Sequence, residues 1–183
     1  LLNPYGLLGG VLFLLLFMQH GALWLAIRTT GDLQDRAAGT AKTLWPVLLA
    51  VAVIFLIASW FATNLYDNYL AHPIFFLVIV LAVVGLLGTK LFVGKQAYFK
   101  AWFASALTII GCTFFGVVGL FPSLFPSSTN PRFNLTAFNA SSSPVTLKIM
   151  LIVVIIFVPL VLTYQIWAYN LFKTKVTKED MVY

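Results

Sequence analysis

Acidic side chains are scarce in this chain. Only 5 of 183 residues are Asp or Glu, and all charged residues together make up 9%. A soluble domain carries about 25% charged residues, so this inventory cannot solvate a globule that is 61% hydrophobic. A water-soluble enzyme is excluded. The single cysteine excludes an internal disulfide framework and any multi-thiolate metal site. There is no GxxxxGK(S/T) phosphate loop, no CxxC pair and no Ser/His/Asp grouping in a catalytic context. No carboxylate lies within a long apolar run. The chain alone therefore provides neither a proton wire of acidic side chains nor a midplane cation site, which argues against an autonomous ion-coupled transporter or pump. The first residue is Leu and no signal-peptide pattern follows it, so the sequence reads as processed or as part of something longer.

What is abundant is apolar and aromatic. Phe 17, Trp 5 and Tyr 7, with a mean hydropathy of +0.99, point to a polytopic membrane protein. A hydrocarbon core about 30 Å thick needs about 20 apolar residues at a helical rise of about 1.5 Å. Stretches of that kind predict five transmembrane helices over residues 4–27, 44–63, 73–89, 101–121 and 145–172, within a single membrane domain 1–183. The fold class is all-α, an integral membrane helical bundle. Lys148 is the one charge inside these stretches, and it can snorkel from the first turn of the last.

Helix starts are visible locally. Asn3-Pro4, His72-Pro73 and Ser143-Pro144 place proline at the first helical position, where a missing N–H costs nothing, and Asn3 and Ser143 can cap. Pro46 reads as a first-turn proline of the second span. Pro159 lies mid-span and should kink its helix, with the freed carbonyl facing protein. Arg28, Arg36, Lys42, Lys90, Lys95, Lys100, Lys173, Lys175 and Lys178 fall on alternate connections, against Arg132 and Lys148 on the other side. The positive-inside rule then puts the N-terminus outside and the tail in the cytoplasm. The bases are spread along the chain, so the net charge of +6 does not indicate nucleic acid. The outer loop 122–143 should be an ordered cap or a contact surface, and its Asn134 and Asn139 sequons read as chance. Gly6-x-x-x-Gly10, Ala22-x-x-x-Ala26 and Gly85, Gly88, Gly111, Gly116 and Gly119 offer close helix approaches.

Site candidates are few. His20 is the one intramembrane histidine, roughly 12 Å inside Arg28 along the helix. Its plain reading is a neutral imidazole bonded to a neighbouring helix, beside Gln19 as a second buried polar contact. A quinone or water contact and a haem ligand are the alternatives. His72 reads as interfacial and Cys112 as a small apolar residue. Tyr164, Trp167 and Tyr169 read as an inner aromatic belt, with Tyr98 and Trp102 at the same level. Thr177-Lys-Glu-Asp180 has capping-box spacing. No catalytic and no metal-ligating residue is assigned.

Several stretches go further by likeness. Leu1-Leu2-Asn3-Pro4-Tyr5-Gly6-Leu7-Leu8-Gly9-Gly10, then Gln19-His20-Gly21-Ala22, then Arg28-Thr29-Thr30-Gly31-Asp32-Leu33 open the series. Phe121-Pro122-Ser123-Leu124-Phe125-Pro126-Ser127-Ser128, Asn134-Leu-Thr136 and Asn139-Ala-Ser-Ser142 continue it. Thr146-Leu147, Met150, Pro159, Tyr164, Trp167, Tyr169 and Thr177-Lys-Glu-Asp180 complete it. In order and spacing this set resembles the second half of subunit II of cytochrome bd quinol oxidase, across essentially the whole chain. The resemblance implies a four-helix bundle plus a peripheral helix. It also implies a missing N-terminal group of helices that carries the acidic residues of proton delivery, so the chain would be a fragment or one product of a split gene. The implied function is that of a non-haem structural subunit in a terminal oxidase that reduces oxygen to water with quinol and builds proton-motive force. The implied partner is subunit I, which holds the b-type and d-type haems, in the bacterial inner membrane. A quinone or a lipid is the implied occupant of the bundle, with no residues assigned to it. From the residues alone, a free-standing oligomeric transporter or channel half remains the alternative.

Overall fold

The computed structural model describes residues 3–127 and 129–177. Lys178 and the remainder of the Thr177–Asp180 capping pattern lie outside the described residues, as do Leu1, Leu2 and Ser128. Six α-helices are present among the described residues: α1 Pro4–Arg28, α2 Asp32–Ala62, α3 Leu65–Ala71, α4 Phe76–Gly94, α5 Tyr98–Leu120 and α6 Pro144–Leu171. All but α3 belong to segments long and apolar enough to cross a membrane, and the chain is a multi-pass membrane protein. The chain divides into two compact units, residues 1–121 with 175–183, and residues 122–174.

In the first unit α1, α2, α4 and α5 form a closed ring, each packed on two neighbours, while α3 lies on α5 and α2. The core runs through this ring in layers of changing size. At one end Ala26, Ala37 and Ala38 pack with Tyr98, followed by Ala22, Leu23, Ala41, Val93 and Ala101. The middle holds Leu12, Leu16, Trp45, Leu48 and Leu86, and the far end Leu65, Tyr69 and Phe115 with Tyr5, Phe55 and Tyr66 around them. Small side chains bring α1 and α2 together at one end; rings fill the wider gap at the other. Exposed Leu, Val, Ile and Phe cover the outside, as the lipid-facing surface of a membrane helix requires.

Asn3 caps α1 through Oδ1, which accepts from the Tyr5 amide at 3.1 Å. The second helix departs from expectation. Its apolar stretch starts near Leu44, but the helix itself starts at Asp32, after a turn of only Thr29–Gly31 in which Gly31 takes φ +66. Ala37, Ala38 and Ala41 bury this extension against α1, Asp32 and Asp35 suit the N-terminal dipole, and Gln34 Nε2 donates to the Ala26 carbonyl at 2.8 Å. Pro46 is consequently an internal helix proline and not a first-turn one. At the other end, a 3₁₀ turn Pro73–Phe75 leads into α4, which continues five residues beyond the expected limit to Gly94.

Close approaches concentrate on α4 and α5. A Cβ at Gly85 would lie 2.7 Å from the Ala104 carbonyl and the Thr108 amide, and one at Gly111 would lie 2.7 Å from the Ala82 Cβ and 2.8 Å from its backbone. Gly119 meets Leu65 as tightly, whereas Gly10 and Gly116 face open space. The Gly6/Gly10 pair is therefore no contact seam, while Ala22 and Ala26 are buried.

The second unit contains the outer loop and α6. A short antiparallel pair, β1 Ser123–Phe125 and β2 Leu135–Thr136, is braced by two asparagines. Asn134 Oδ1 accepts from the Ser127 amide at 2.7 Å, and Asn139 Oδ1 from the Thr136 amide at 2.7 Å. The loop is thus ordered by its own side chains, and both sequon amides have a structural use. Ser143 caps α6 at the Thr146 amide. No residue of α6 is buried. Pro159 lies inside α6 and is exposed among the described residues.

Candidate functional site

Gln19 and His20 are adjacent in sequence, but one residue turns a helix by about 100°, and the structure separates their surroundings. Gln19 is 1% exposed, and its Nε2 donates to the Ala41 carbonyl of α2 at 3.1 Å. His20 turns to α5 instead. Its Nδ1 lies 2.7 Å from Ser105 Oγ, and its ring stacks on Trp102 at 4.9 Å. Ser105 Oγ donates to the Trp102 carbonyl at 2.7 Å. With that proton committed, the consistent assignment is His20 donating from Nδ1 to Ser105. Trp24 extends the aromatic cluster, 5.4 Å from Trp102, with the Arg28 guanidinium 5.6 Å from its ring centroid.

His20 is fixed by Ser105 on one edge and Trp102 on one face, and His72, the other histidine, lies beyond α3 against Phe75. Among the described residues no three His, Cys, Asp or Glu side chains gather where a metal could sit. Cys112 lines an apolar cavity of about 60 Å³ with Leu12, Phe55, Leu86, Thr108 and Phe115. That is well below the roughly 150 Å³ of a cavity that takes up benzene.

Buried polar side chains in the ring of helices otherwise act as ties to backbone. Trp45 Nε1 donates to the Leu86 carbonyl of α4 at 2.8 Å, and the Tyr69 hydroxyl to the Phe115 carbonyl at 2.9 Å. Asn68 Nδ2 reaches the carbonyls of Val118 at 3.0 Å and Gly119 at 3.2 Å, and also that of Phe121. The Tyr5 hydroxyl pairs with Ser59 at 2.8 Å, and Tyr66 donates to Leu56 at 3.2 Å. Burial, with Tyr66 nearby, pushes the Tyr69 phenol up to about 12; burial and Tyr5 also raise Tyr66. Both effects hold these rings neutral and hydrogen-bonding.

Sequence reasoning missed the neighbours of Gln19. A recess of about 400 Å³ is lined by Gln19, Lys42, Trp45, Pro46 and Lys90, with Ala41, Val93 and Gly94. Lys90 Nζ sits 4.3 Å from the Trp45 ring centroid. Lys42 and Lys90 read as generic interfacial charges because they are far apart in sequence; only the α2–α4 contact brings them together.

The family model for cytochrome bd terminal oxidase subunit II matches residues 1–172. The chain belongs to that family. It is 33% identical to the cytochrome bd ubiquinol oxidase subunit 2 of Bacillus subtilis strain 168, over 100% of this chain and 54% of the relative. It is 31% identical to the cytochrome bd-I ubiquinol oxidase subunit 2 of Escherichia coli K12, over 99% of this chain and 55% of the relative. A probable cytochrome oxidase subunit 2 of Haemophilus influenzae is 33% identical over 93% of this chain and 52% of its own length. The chain thus spans about half the length of the curated relatives it matches. This subunit II membership agrees with the likeness read from the ordered motifs between Leu1 and Tyr169, and it removes the support for a free-standing transporter half.

Proposed function

We propose that this chain is the C-terminal half of subunit II of a bd-type quinol oxidase and serves there as a non-haem packing element. The complex oxidises quinol, reduces oxygen to water and builds proton-motive force; the b-type and d-type haems belong to subunit I. Residues 1–183 act as one membrane domain in the bacterial inner membrane, N-terminus outside and tail in the cytoplasm. The remaining helices of subunit II, membrane lipid and subunit I are its partners.

The observation that carries this reading is the use made of buried polarity. Gln19, Trp45, Asn68 and Tyr69 all donate to main-chain carbonyls of neighbouring helices, an arrangement that holds helices and moves no electron or proton. The test is an affinity tag on this chain in its native membrane, followed by visible spectra of the purified complex. The expected result is co-purification of a haem-bearing chain with quinol oxidase activity, and unchanged haem bands in His20→Ala. Loss of a haem band in that variant, or purification without a haem-bearing partner, would refute the assignment.

A further inference from the structure

We propose that the recess between α2 and α4 binds the phosphodiester headgroup of an anionic phospholipid of the inner leaflet. The leaflet assignment rests on the orientation proposed above; the chemistry of the recess does not. Two ammonium groups, Lys42 and Lys90, line one cavity from two different helices. Among the described residues the one ion pair is Arg36–Asp32, so neither lysine has a carboxylate partner there. Two exposed cations lining one recess at the edge of the bundle favour an anion there.

The wall of the recess keeps Lys90 in place. Its Nζ rests 4.3 Å over the Trp45 ring, which attracts the cation but leaves its three N–H donors without an anionic acceptor. Trp45 cannot swing away, because it is 8% exposed and its Nε1 is bonded to the Leu86 carbonyl. Pro46 adds a second kind of group. It stands four residues after Lys42 inside α2, so the Lys42 carbonyl loses its usual helical donor and can accept from a headgroup alcohol. Two cations and a nearby freed carbonyl match a phosphate ester carrying a hydroxyl, of which phosphatidylglycerol is the simplest.

Position and size agree. The α2–α4 packing is the least extensive of the four in the ring, and the recess lies between these two helices. Leu87 and Leu91, both 53% exposed on α4, offer an apolar path for acyl chains. The volume of about 400 Å³ lies within the roughly 300–1,000 Å³ of small-ligand sites. Basic pockets between spans on the cytoplasmic side are a recognised form of headgroup site.

The experiment uses the complete, delipidated oxidase in dodecyl maltoside, with native mass spectrometry and thermal shift as readouts. Phosphatidylglycerol, phosphatidylethanolamine and inorganic phosphate are added in separate arms. Phosphatidylglycerol should bind and raise the melting temperature, phosphatidylethanolamine much less, and inorganic phosphate not at all at equal concentration. Lys42→Gln with Lys90→Gln should weaken phosphatidylglycerol about 30-fold, at roughly a fivefold contribution per lysine. Lys42→Arg with Lys90→Arg should restore most of it, and Lys95→Gln, outside the recess, should change it little. Equal weakening by Lys95→Gln, undiminished binding in the double Gln variant, or equal protection by inorganic phosphate would overturn the proposal. Haem content and quinol oxidase activity are read in parallel. A failed lipid site with an intact haem-bearing complex is then distinct from a failed oxidase assignment.

Discussion

Adding one methyl group at Gly85 or at Gly111 tests the α4–α5 packing directly. In both places the new carbon would sit 2.7–2.8 Å from backbone atoms of the facing helix, where ordinary contact is 3.4–4 Å. Backbone cannot rotate aside as a side chain can, so the helices must separate by about 0.7 Å or more. A gap of about 0.5–1 Å forfeits a quarter to a half of each dispersion contact. For an interface of about 40 atom pairs at about 0.15 kcal/mol each, the loss is about 1.5–3 kcal/mol, within the usual range of overpacking. Alanine returns about 1 kcal/mol in helix propensity, so Gly85→Ala and Gly111→Ala should each cost about 0.5–2 kcal/mol. Gly116→Ala, where nothing lies within 4 Å, is the control and should be neutral or slightly stabilising. The double variant should cost less than the sum, since one separation serves both sites. The measurement is SDS titration of the purified subunit in mixed micelles, followed by far-UV circular dichroism. If Gly85→Ala and Gly111→Ala unfold at the same SDS fraction as Gly116→Ala, the reasoning fails.

Two further outcomes are expected. The Tyr69 phenol titrates near 12 in the folded protein and near 10 when unfolded, so the unfolded chain loses its proton first. The contribution of Tyr69 is therefore full below pH 10 and declines as pH rises from 10 towards 12; an alkaline melt of Tyr69→Phe should show a shallower decline over that window, and an identical slope would contradict it. Gln19→Leu keeps volume and loses one intramembrane tie, at about 0.6 kcal/mol, whereas Gln19→Ala also opens a cavity; SDS titration should rank Ala well below Leu.

The five long helices were legible because a span announces itself by what it excludes: charge. Their junctions were less so. The first turns of α2 are buried through Ala37, Ala38 and Ala41, residues too small to register as an apolar stretch, so the helix seemed to begin twelve residues late and Pro46 seemed to lie at its start. α3 is 7 residues long, too short for periodicity, and is held mainly by Asn68 and Tyr69 reaching α5, contacts that no local pattern encodes. Among the glycines, the sequence offered Gly6 and Gly10 together with Gly85, Gly111, Gly116 and others; closeness depends on which way the facing helix comes, so Gly85 and Gly111 are tightly packed while Gly10 and Gly116 are not. For the site, the sequence marked Gln19 and His20 as a pair; helical rotation divides them, and Gln19 gains Lys42 and Lys90 as companions from α2 and α4.

The ties made by Gln19, Trp45, Asn68 and Tyr69 end on peptide oxygens, and that choice of acceptor has an evolutionary consequence. A bond between two side chains is broken by a change at either residue, whereas a bond to main chain has one vulnerable end, because the oxygen is present whatever residue carries it. Such ties leave fewer positions open to damaging mutation. That tolerance is compatible with relatives that share only about a third of their residues with this chain.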